Sequence, residues 1–220
     1  MILLLFGPPG CGKGTQAAFL AGRFHIPAIS TGEMFRAEHA AGTELGKSAC
    51  AIISAGDLVA DDIVNRAVVS RIARSDCANG FLLDGYPRTL PQARQFAALV
   101  NQRGLSVPIV IHLNVADDEL VARLTARRQC PGCRRIYNLQ FHPARVAGQC
   151  DVCHAPLQIR DDDSESVIRR RLLVYKELTG PILDWYGAPT VVTVDGGQPP
   201  PAVRSAVESA VLARNAAAKF

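Results

Sequence analysis

Short, uninterrupted apolar runs recur along the chain and alternate with longer amphipathic stretches. The apolar runs predict buried strands at residues 2–6, 27–30, 81–83, 108–114 and 190–194. Strands that stay apolar at consecutive positions fit a parallel sheet that is covered on both faces. The amphipathic stretches predict helices at residues 14–24, 32–41, 44–55, 61–74, 91–103, 117–128, 165–186 and 202–216. This alternation predicts an α/β fold with a doubly wound parallel sheet of five strands.

Residues that favour helix ends stand at several of these boundaries. Asp61 and Asp117 stand at the starts of helical stretches, so we predict that both are N-caps. Gly56 and Gly104 follow helical stretches. We predict a left-handed backbone for both, because glycine adopts it without steric cost.

Two segments interrupt the alternation. Residues 31–59 are helical without an intervening strand, which indicates an insertion into the fold. Residues 129–158 contain four cysteines, three prolines and two glycines and show little helical periodicity. This composition predicts a small separate module that is held together by a metal ion.

The first predicted strand runs directly into the glycine-rich segment GPPGCGK at residues 7–13. This segment fits the G-x-x-x-x-G-K part of the phosphate-binding loop signature. Glycines let backbone N–H groups converge on phosphate oxygens, the next helix presents its N-terminus, and Lys13 adds a positive charge. The usual Ser or Thr after the lysine is Gly14 here, and Thr15 stands one place later. The alternative is a glycine-rich turn that binds nothing, and the strand–loop–helix context argues against it.

Composition and charge limit the classes of protein to which the chain can belong. Its 220 residues suit one domain of medium size with small inserted subdomains. The net charge of +4 is compatible with anion binding but far below that of a dedicated nucleic-acid-binding protein. No apolar run is long enough to cross a bilayer, and residues 1–6 lack the features of a signal peptide. We therefore expect a cytoplasmic protein that binds neither a membrane nor nucleic acid.

Four of the seven cysteines form two C-x-x-C pairs that are separated by sixteen residues. These cysteines are Cys130, Cys133, Cys150 and Cys153. Such pairs supply four thiolates to a tetrahedral Zn²⁺ ion and leave no position for water or substrate, so we expect a structural zinc ion. A reduced, metal-free set is the alternative, since disulfide bonds are disfavoured in the cytoplasm. We interpret the nearby His142 and His154 as surface residues.

Charged residues also follow the predicted strand at residues 81–83. Asp84 is placed to hold Mg²⁺, directly or through water, beside the phosphate loop. Gly85 permits a close approach, Pro87 stiffens the backbone, and Arg88 offers a planar fork of donors to a phosphate. The alternatives are an aspartate that caps a turn and a solvated surface arginine.

The segments GPPGCGKGT and DGYPRT resemble those of the adenylate kinase family of nucleoside monophosphate kinases, and the resemblance extends over nearly the whole chain. In that family Gly-Thr after the lysine is the usual form. The resemblance implies a monomeric phosphotransferase that converts ATP and AMP into two ADP with Mg²⁺. It also implies a core (residues 1–29, 60–125 and 164–220), an acceptor insertion (residues 30–59) and a zinc-binding lid (residues 126–163).

The resemblance further implies two nucleotide sites. The expected ATP site contains Gly10, Cys11, Gly12, Lys13, Gly14, Thr15, Arg127, Ile136, Tyr137 and Gln198. The expected AMP site contains Thr31, Arg36, Asp57, Leu58, Val59, Gly85, Tyr86, Pro87, Arg88, Gln92, Arg160 and Arg171. In these sites Thr31 contacts the AMP base, the Gln92 amide hydrogen-bonds adenine, and Arg36 binds the α-phosphate. Ile136 and Tyr137 lie along the ATP base, and the backbone near Gln198 touches it.

The residues expected to act in catalysis are cations, because phosphoryl transfer needs alignment of the nucleotides and neutralisation of charge. They are Lys13, Arg88, Arg123, Arg127, Arg160 and Arg171. Arg123 and Arg127 are spaced i,i+4, which predicts one shared helix face. Asp162 and Asp163 match an acidic pair of the family that bonds to the arginines. Their alternative interpretation is the acidic start of a helix.

The chain departs from the family pattern at two positions, and two other functions stay open. Ala60 stands where proline is usual, and Gln198 where lysine is frequent. One alternative is a related kinase with another monophosphate acceptor or with GTP as donor; Thr31, Gln92 and the zinc lid argue against it. The other is a zinc-ribbon protein that binds nucleic acid with strong salt dependence. The scarcity of aromatic residues among the basic ones argues against this second alternative.

Overall fold

The structure is a computed structural model that describes residues 1–187 and 190–217. Its strands are β1 (Ile2–Phe6), β2 (Ala28–Ser30), β3 (Phe81–Asp84), β4 (Ile109–Asn114), β5 (Arg127–Gln129), β6 (Ile136–Asn138) and β7 (Val191–Asp195). Five of them form a parallel sheet in the order β2-β3-β1-β4-β7, and β5 pairs with β6 in a separate antiparallel ribbon. The five-stranded parallel sheet is thus confirmed, with strand ends within one residue of the predicted ones.

The helices cover both faces of this sheet, as an α/β fold requires. They are α1 (Lys13–Phe24), α2 (Thr31–Ala40), α3 (Glu44–Ser54), α4 (Asp61–Ile72), α5 (Leu90–Gln102), α6 (Asp117–Thr125), α7 (Glu165–Val174), α8 (Gly180–Tyr186) and α9 (Pro200–Ala217). Within the described residues, none of these helices has the length and apolar character needed to cross a membrane.

The central strand β1 is buried along its whole length between two apolar layers. Leu4 packs with Leu83 of β3 and with α4 and α5 on one face of the sheet. Leu3 packs with Leu82 and with α1 and α9 on the other face. Because successive residues of β1 enter opposite layers and both layers are apolar, the strand shows no polar alternation.

The predicted N-caps at Asp61 and Asp117 are wrong by one position. The N-cap residues are Ala60 and Ala116, and the two aspartates are the first helical residues of α4 and α6. A carboxylate in the first turn still interacts favourably with the positive end of the helix dipole, which explains its place in the sequence. Gly56 and Gly104 adopt φ values of 87° and 59°, so their predicted left-handed backbone is confirmed.

The single helix predicted at residues 165–186 is interrupted. After α7, Tyr175–Thr179 form a π-helical turn, and α8 starts at Gly180 with a proline in its first turn. Pro181 has no backbone N–H to donate, so the regular hydrogen-bond pattern cannot pass through it. The π-helical turn carries the chain between the two regular helices.

Candidate active site

The loop between β1 and α1 is shaped by glycines at positive φ. Gly7, Gly10 and Gly12 have φ values of 147°, 87° and 97°. A Cβ atom on Gly7 would lie 2.5 Å from the Cys11 Sγ atom, so a larger residue does not fit there. Gly12 precedes α1 and has no side chain to cap the N-terminal amides of that helix. These amides are therefore available to a bound anion.

Lys13 is the first residue of α1, and its side chain lies over the loop. Its Nζ atom donates to the carbonyl oxygens of Gly7 and Pro8 at 2.7 and 2.9 Å. Cys11 lies beneath it, 2% exposed, and burial raises the pKa of the Cys11 thiol while Lys13 opposes the shift. Cys11 thus fills the interior of the loop, and Lys13 supplies the positive charge.

Asp84 lies beside the phosphate loop because β3 and β1 are neighbours in the sheet. A Cβ atom on Gly14 would lie 4.0 Å from the Asp84 Oδ2 atom. Burial raises the pKa of the Asp84 carboxyl, whereas the charges of Lys13 and Arg88 lower it. One carboxylate is therefore close both to the lysine of the loop and to the arginine of the next turn.

The turn after β3 holds Arg88 through its side chain and its backbone. The Gly85 carbonyl oxygen accepts a hydrogen bond from Arg88 Nε at 2.9 Å and one from Thr31 Oγ1 at 2.9 Å. The Arg88 carbonyl oxygen accepts from Thr179 Oγ1 at 2.9 Å. Arg88 and Thr31, which the sequence placed in the AMP site, are thus brought together at one carbonyl.

Arg36 lies in α2 and is paired with a carboxylate of its own helix. Its Nε donates to Glu33 Oε1 at 2.9 Å, and Nη2 contacts the same oxygen. Burial lowers the pKa of Arg36, and the nearby charge of Arg160 acts in the same direction. Arg36 and Arg160 are 124 positions apart in sequence, so the fold brings α2 near the segment that precedes α7.

Gln92 is buried in α5 at 2% exposure and is bonded at both ends of its amide. The Nε2 atom donates to Asp61 Oδ1 at 2.7 Å, and the Oε1 atom accepts from the Arg88 backbone N–H at 2.8 Å. Gln92 is therefore next to Arg88, as the sequence predicts, and Asp61 is an unpredicted partner.

Three arginines converge on two neighbouring aspartates. Arg127 donates to Asp163 through Nε at 2.7 Å and Nη2 at 2.5 Å. Arg160 donates to Asp162 through Nε at 2.9 Å and Nη2 at 3.0 Å. The Arg171 Nη1 atom lies 3.0 Å from an Asp162 oxygen and 3.2 Å from an Asp163 oxygen. The predicted bonding of the acidic pair to the arginines is confirmed.

Asp162 and Arg171 of this arginine–aspartate cluster are charged at neutral pH. Burial opposes ionisation of Asp162, but Arg171, Arg160 and Arg127 outweigh it and lower the pKa to about 2. Burial lowers the pKa of Arg171 to about 10, against the opposing charge of Asp162. Bidentate pairs fix both the position and the plane of a guanidinium group. The arginines are therefore oriented before any nucleotide is bound.

Arg123 and Arg127 do not share a helix face, and that prediction is wrong. Helix α6 ends at Thr125, and Arg127 lies in β5. The helix ends here because the Asn138 side chain and the Leu139 N–H donate to the carbonyls of its last turn, at 2.9 and 3.0 Å. Arg123 instead pairs with Glu119 at 2.5 Å, and its buried Nε has no hydrogen-bond partner among the described residues.

Sequence comparisons agree with this geometry. A sequence model of the family described as Adenylate kinase matches residues 5–191. The chain is 51% identical over 186 residues to an adenylate kinase of Trichlorobacter lovleyi, covering 84% of this chain and 87% of the relative. The chain belongs to the adenylate kinase family. It is therefore a phosphotransferase enzyme.

Two further relatives extend the match over more of the chain. An adenylate kinase of Symbiobacterium thermophilum is 45% identical over 214 residues, which cover 97% of this chain and 99% of the relative. An adenylate kinase of Lachnospira eligens is 42% identical over 200 residues, which cover 90% and 94%. The residues 129–158 that interrupt the strand–helix alternation thus lie within the range matched by the adenylate kinase family.

The Tyr137 side chain is 1% exposed among the lid cysteines, where its hydroxyl contacts Cys150 Sγ at 3.4 Å and accepts from the Asp151 N–H at 2.8 Å. A contact of Tyr137 with the ATP base would therefore use its backbone, and the placement of Ile136 and Tyr137 along that base stays a prediction. Ile136 is 42% exposed and is the member of the predicted pair whose side chain is accessible.

The loop after β7 lies against the phosphate loop. A Cβ atom on Gly196 would lie 3.3 Å from the Cys11 carbonyl oxygen. The Gln198 Nε2 atom donates to Asp195 Oδ2 at 2.8 Å, so this side chain is held within its own loop. The contact between the backbone near Gln198 and the ATP base stays a prediction.

The segment after α3 lies against α7. Val59 is buried at 6% exposure, and Leu58 is half-buried. Asp57 binds Arg170 of α7 through an exposed ion pair at 2.8 Å. An exposed ion pair of this kind contributes little to the stability of the fold.

The four lid cysteines come together as two similar turns. Their Sγ atoms lie within 4.8 Å of one another, with Cys130 and Cys153 at 3.2 Å and Cys133 and Cys150 at 3.4 Å. The Arg134 and His154 N–H groups donate to the Cys130 and Cys150 carbonyls, and both residues have φ near 60°. Their grouping confirms the predicted cluster, and four convergent sulfurs are the donor set that Zn²⁺ prefers.

The sequence interpretation missed the carboxylates that hold several predicted site residues. Glu33 and Glu119 are spaced three and four positions before Arg36 and Arg123, so helical spacing gave a signal for both. Asp61 is 31 positions away from Gln92, and no local pattern indicates that contact.

Proposed function

We propose that this chain catalyses the reversible, Mg²⁺-dependent transfer of the γ-phosphoryl group of ATP to AMP, which gives two ADP. Such a reaction balances the adenine nucleotide pool. The observation that carries the proposal is the position of Asp84 between the phosphate loop and the turn that holds Arg88. Its Oδ2 atom lies 4.0 Å from where a Cβ atom on Gly14 would be, and the next residue, Gly85, accepts from Arg88 Nε at 2.9 Å. The phosphate loop and the arginine of the acceptor side are therefore both close to one carboxylate.

We assign ATP to the phosphate-loop side of Asp84 and AMP to the side of Arg88. ATP phosphates lie in the loop at residues 10–15, with Ile136, the backbone of Tyr137 and the backbone near Gln198 along the base. AMP lies against Thr31, Arg36, Arg88 and Gln92, with residues 57–59 closing its pocket. This division matches the core, acceptor insertion and lid expected from the adenylate kinase family.

In the proposed step an oxygen of the AMP α-phosphate attacks the γ-phosphorus, and the bond to the β–γ bridging oxygen breaks. The phosphoryl group passes directly between nucleotides without a phosphoenzyme. Lys13 and the arginines at positions 88, 123, 127, 160 and 171 bind the phosphate oxygens, on which the charge is spread. Asp84 would hold Mg²⁺ directly or through water, and the ion would supply positive charge that neutralises the phosphates.

Before a nucleotide binds, the aspartates of the arginine–aspartate cluster hold the arginines in place. Asp162 and Asp163 occupy the donor forks of Arg127, Arg160 and Arg171. Two oxygens of a phosphate group can accept from one guanidinium fork, as the two oxygens of a carboxylate do. Nucleotide phosphates would thus replace the aspartates at arginines that are already oriented, which lowers the entropy lost on closure.

We propose that the Cys130, Cys133, Cys150 and Cys153 set binds a structural Zn²⁺ ion. The buried residues of the lid cluster are only Cys130, Tyr137 and Cys150 in the part of the chain that the structure describes. So small a core does not stabilise a fold by itself. A closed four-sulfur site stiffens the lid, which then moves over ATP as one body and excludes water.

The proposed acceptor is tested with a panel of nucleoside monophosphates at fixed MgATP. We expect kcat/KM for AMP to exceed the values for UMP and CMP by about 100-fold, because polar groups made for adenine stay unpaired with a pyrimidine. Coupled measurement of ADP formation gives each value. A higher kcat/KM with UMP, CMP or GMP would assign the chain to a related kinase.

A further inference from the structure

Asp61 makes contacts that link it to the acceptor side of the cavity. Its Oδ1 accepts from Gln92 Nε2 at 2.7 Å, and its Oδ2 accepts from Thr89 Oγ1 at 2.8 Å. Thr89 is the N-cap of α5 and Gln92 lies in the first turn of that helix, directly after Arg88 in the chain. The carboxylate is therefore held at both oxygens, and it contacts the one amide that the proposed function places against adenine.

These contacts leave the Gln92 amide one orientation. A carboxylate only accepts hydrogen bonds, so the end of the amide facing Asp61 must be the NH₂ group. A backbone N–H only donates, so the end facing the Arg88 N–H must be the oxygen, and these two atoms are 2.8 Å apart. A rotation by 180° would place two acceptors together at Asp61 and two donors together at Arg88. The chemistry of the two partners thus fixes the orientation of the Gln92 amide.

An amide of fixed orientation distinguishes purines by their donor and acceptor pattern. Adenine offers an acceptor at N1 and a donor at its 6-amino group, whereas hypoxanthine offers a donor at N1 and an acceptor at its 6-oxygen. After its contacts with Asp61 and Arg88, the Gln92 amide retains one N–H and one lone pair. A fixed amide can match only one of these purines, and an amide free to rotate can match either.

We propose that Asp61 is a positioning residue that sets the selectivity of the acceptor site for adenine by fixing the orientation of the Gln92 amide. This inference rests on the proposed function, in which AMP is the acceptor and Gln92 meets its base. Asp61 itself contacts no nucleotide in that proposal, yet the inference makes it responsible for the discrimination between AMP and inosine monophosphate.

The chain offers a matched control in the neighbouring residue. Asp62 is also in the first turn of α4, so its charge has the same relation to the helix dipole. Its carboxylate lies 3.4 Å from Arg66 on the surface, where both side chains are at least 70% exposed. Asp61→Asn and Asp62→Asn therefore remove equal charges from one helix turn, and only the first touches Gln92.

The test measures kcat/KM for AMP and for inosine monophosphate with purified wild-type and variant enzyme at fixed MgATP. In Asp61→Asn the new side-chain amide would offer either an oxygen or an NH₂ group to Gln92, so one of the two restraints on the amide would be lost. Only the Arg88 N–H would still oppose its rotation. For this variant we expect the AMP to inosine monophosphate ratio to fall at least about tenfold, the scale of one hydrogen bond. The KM for ATP should stay within about twofold, and Asp62→Asn should keep the wild-type ratio.

The ratio does not depend on the concentration of folded enzyme, so partial unfolding of a variant leaves it interpretable. Thr89→Val, which frees the second oxygen of Asp61, should shift the ratio in the same direction by a smaller factor. An unchanged ratio in Asp61→Asn, or equal losses with both acceptors, would overturn the inference. If wild-type enzyme did not phosphorylate AMP at all, the proposed function itself would fail instead.

Discussion

Replacing Lys13 by methionine is expected to lower kcat for ADP formation about 10³-fold. Methionine has a similar length and apolar stem but no charge. Lys13 is the only cation that donates to the loop carbonyls among the described residues, at 2.7 and 2.9 Å. When these acceptors are exchanged for phosphate oxygens, its charge compensates the charge on the phosphates in the transition state. Loss of one such donor costs about two to three orders of magnitude.

The control is Lys47→Met on α3. Lys47 pairs with Glu44 at 2.7 Å on the surface and lies outside the cavity. Steady-state rates should show a wild-type kcat for Lys47→Met. For Lys13→Met the KM for AMP should stay within about threefold of the wild-type value, since AMP binds on the acceptor side and not in the phosphate loop. A Lys13→Met enzyme with wild-type kcat would contradict the proposed role of the phosphate loop in catalysis.

Loss of the lid metal is expected to unfold the lid and to lower kcat/KM for ATP by more than about 100-fold. Cys150→Ser removes one of four sulfurs and also a contact of the buried Tyr137 hydroxyl. Because the lid has so small a core, its ordered state depends on the metal, as in other small metal-held modules. The melting temperature should fall by about 10 °C or more, and the bound zinc from one ion per chain to none.

The matched control is Cys50→Ser, which changes a partly exposed cysteine of α3 outside the cluster. Elemental analysis should find a full complement of zinc in this variant, with a melting temperature within about 2 °C of wild type. Equal melting temperatures for wild-type and metal-stripped protein would exclude a structural role for the metal. Loss of zinc with wild-type activity would separate the lid from catalysis.

The sheet was predictable because its strands lie under helices on both sides. Ile2–Phe6 is apolar at every position, and all five residues are buried. No competing interaction acts on such a strand, so local pattern and final structure agree. The phosphate loop was predictable for a related reason, since its glycine spacing is set by its own backbone.

The helix ends near the site were less predictable because tertiary contacts decide them. Helix α6 stops before Arg127, where residues of β6 and the following turn bind its last carbonyls. Helices α7 and α8 are separated by a π-helical turn ahead of Pro181. The apolar periodicity continues through both places and indicates neither break. Pro181 was a local signal for the second break, and the helix prediction at residues 165–186 did not use it.

The identity of the charged and amide side chains in the site could be predicted from the sequence, but most of their hydrogen-bond partners could not. The arginines at positions 127, 160 and 171 were expected, and so was their acidic pair. The use of Tyr137 as lid core and the contact of Asp61 with Gln92 depend on segments far apart in sequence. Such contacts exist only in the folded chain, and one sequence holds no trace of them.

The most direct test of the account follows the γ-phosphoryl group itself. The enzyme is incubated with Mg²⁺, AMP and ATP labelled with ³²P at the γ-position, and the labelled products are separated. The account predicts AMP-dependent appearance of the label in the β-phosphate of ADP, with no more inorganic phosphate than without enzyme. The account would be contradicted if the label were released as inorganic phosphate as fast as it is transferred to AMP, or if no label were transferred when AMP is present.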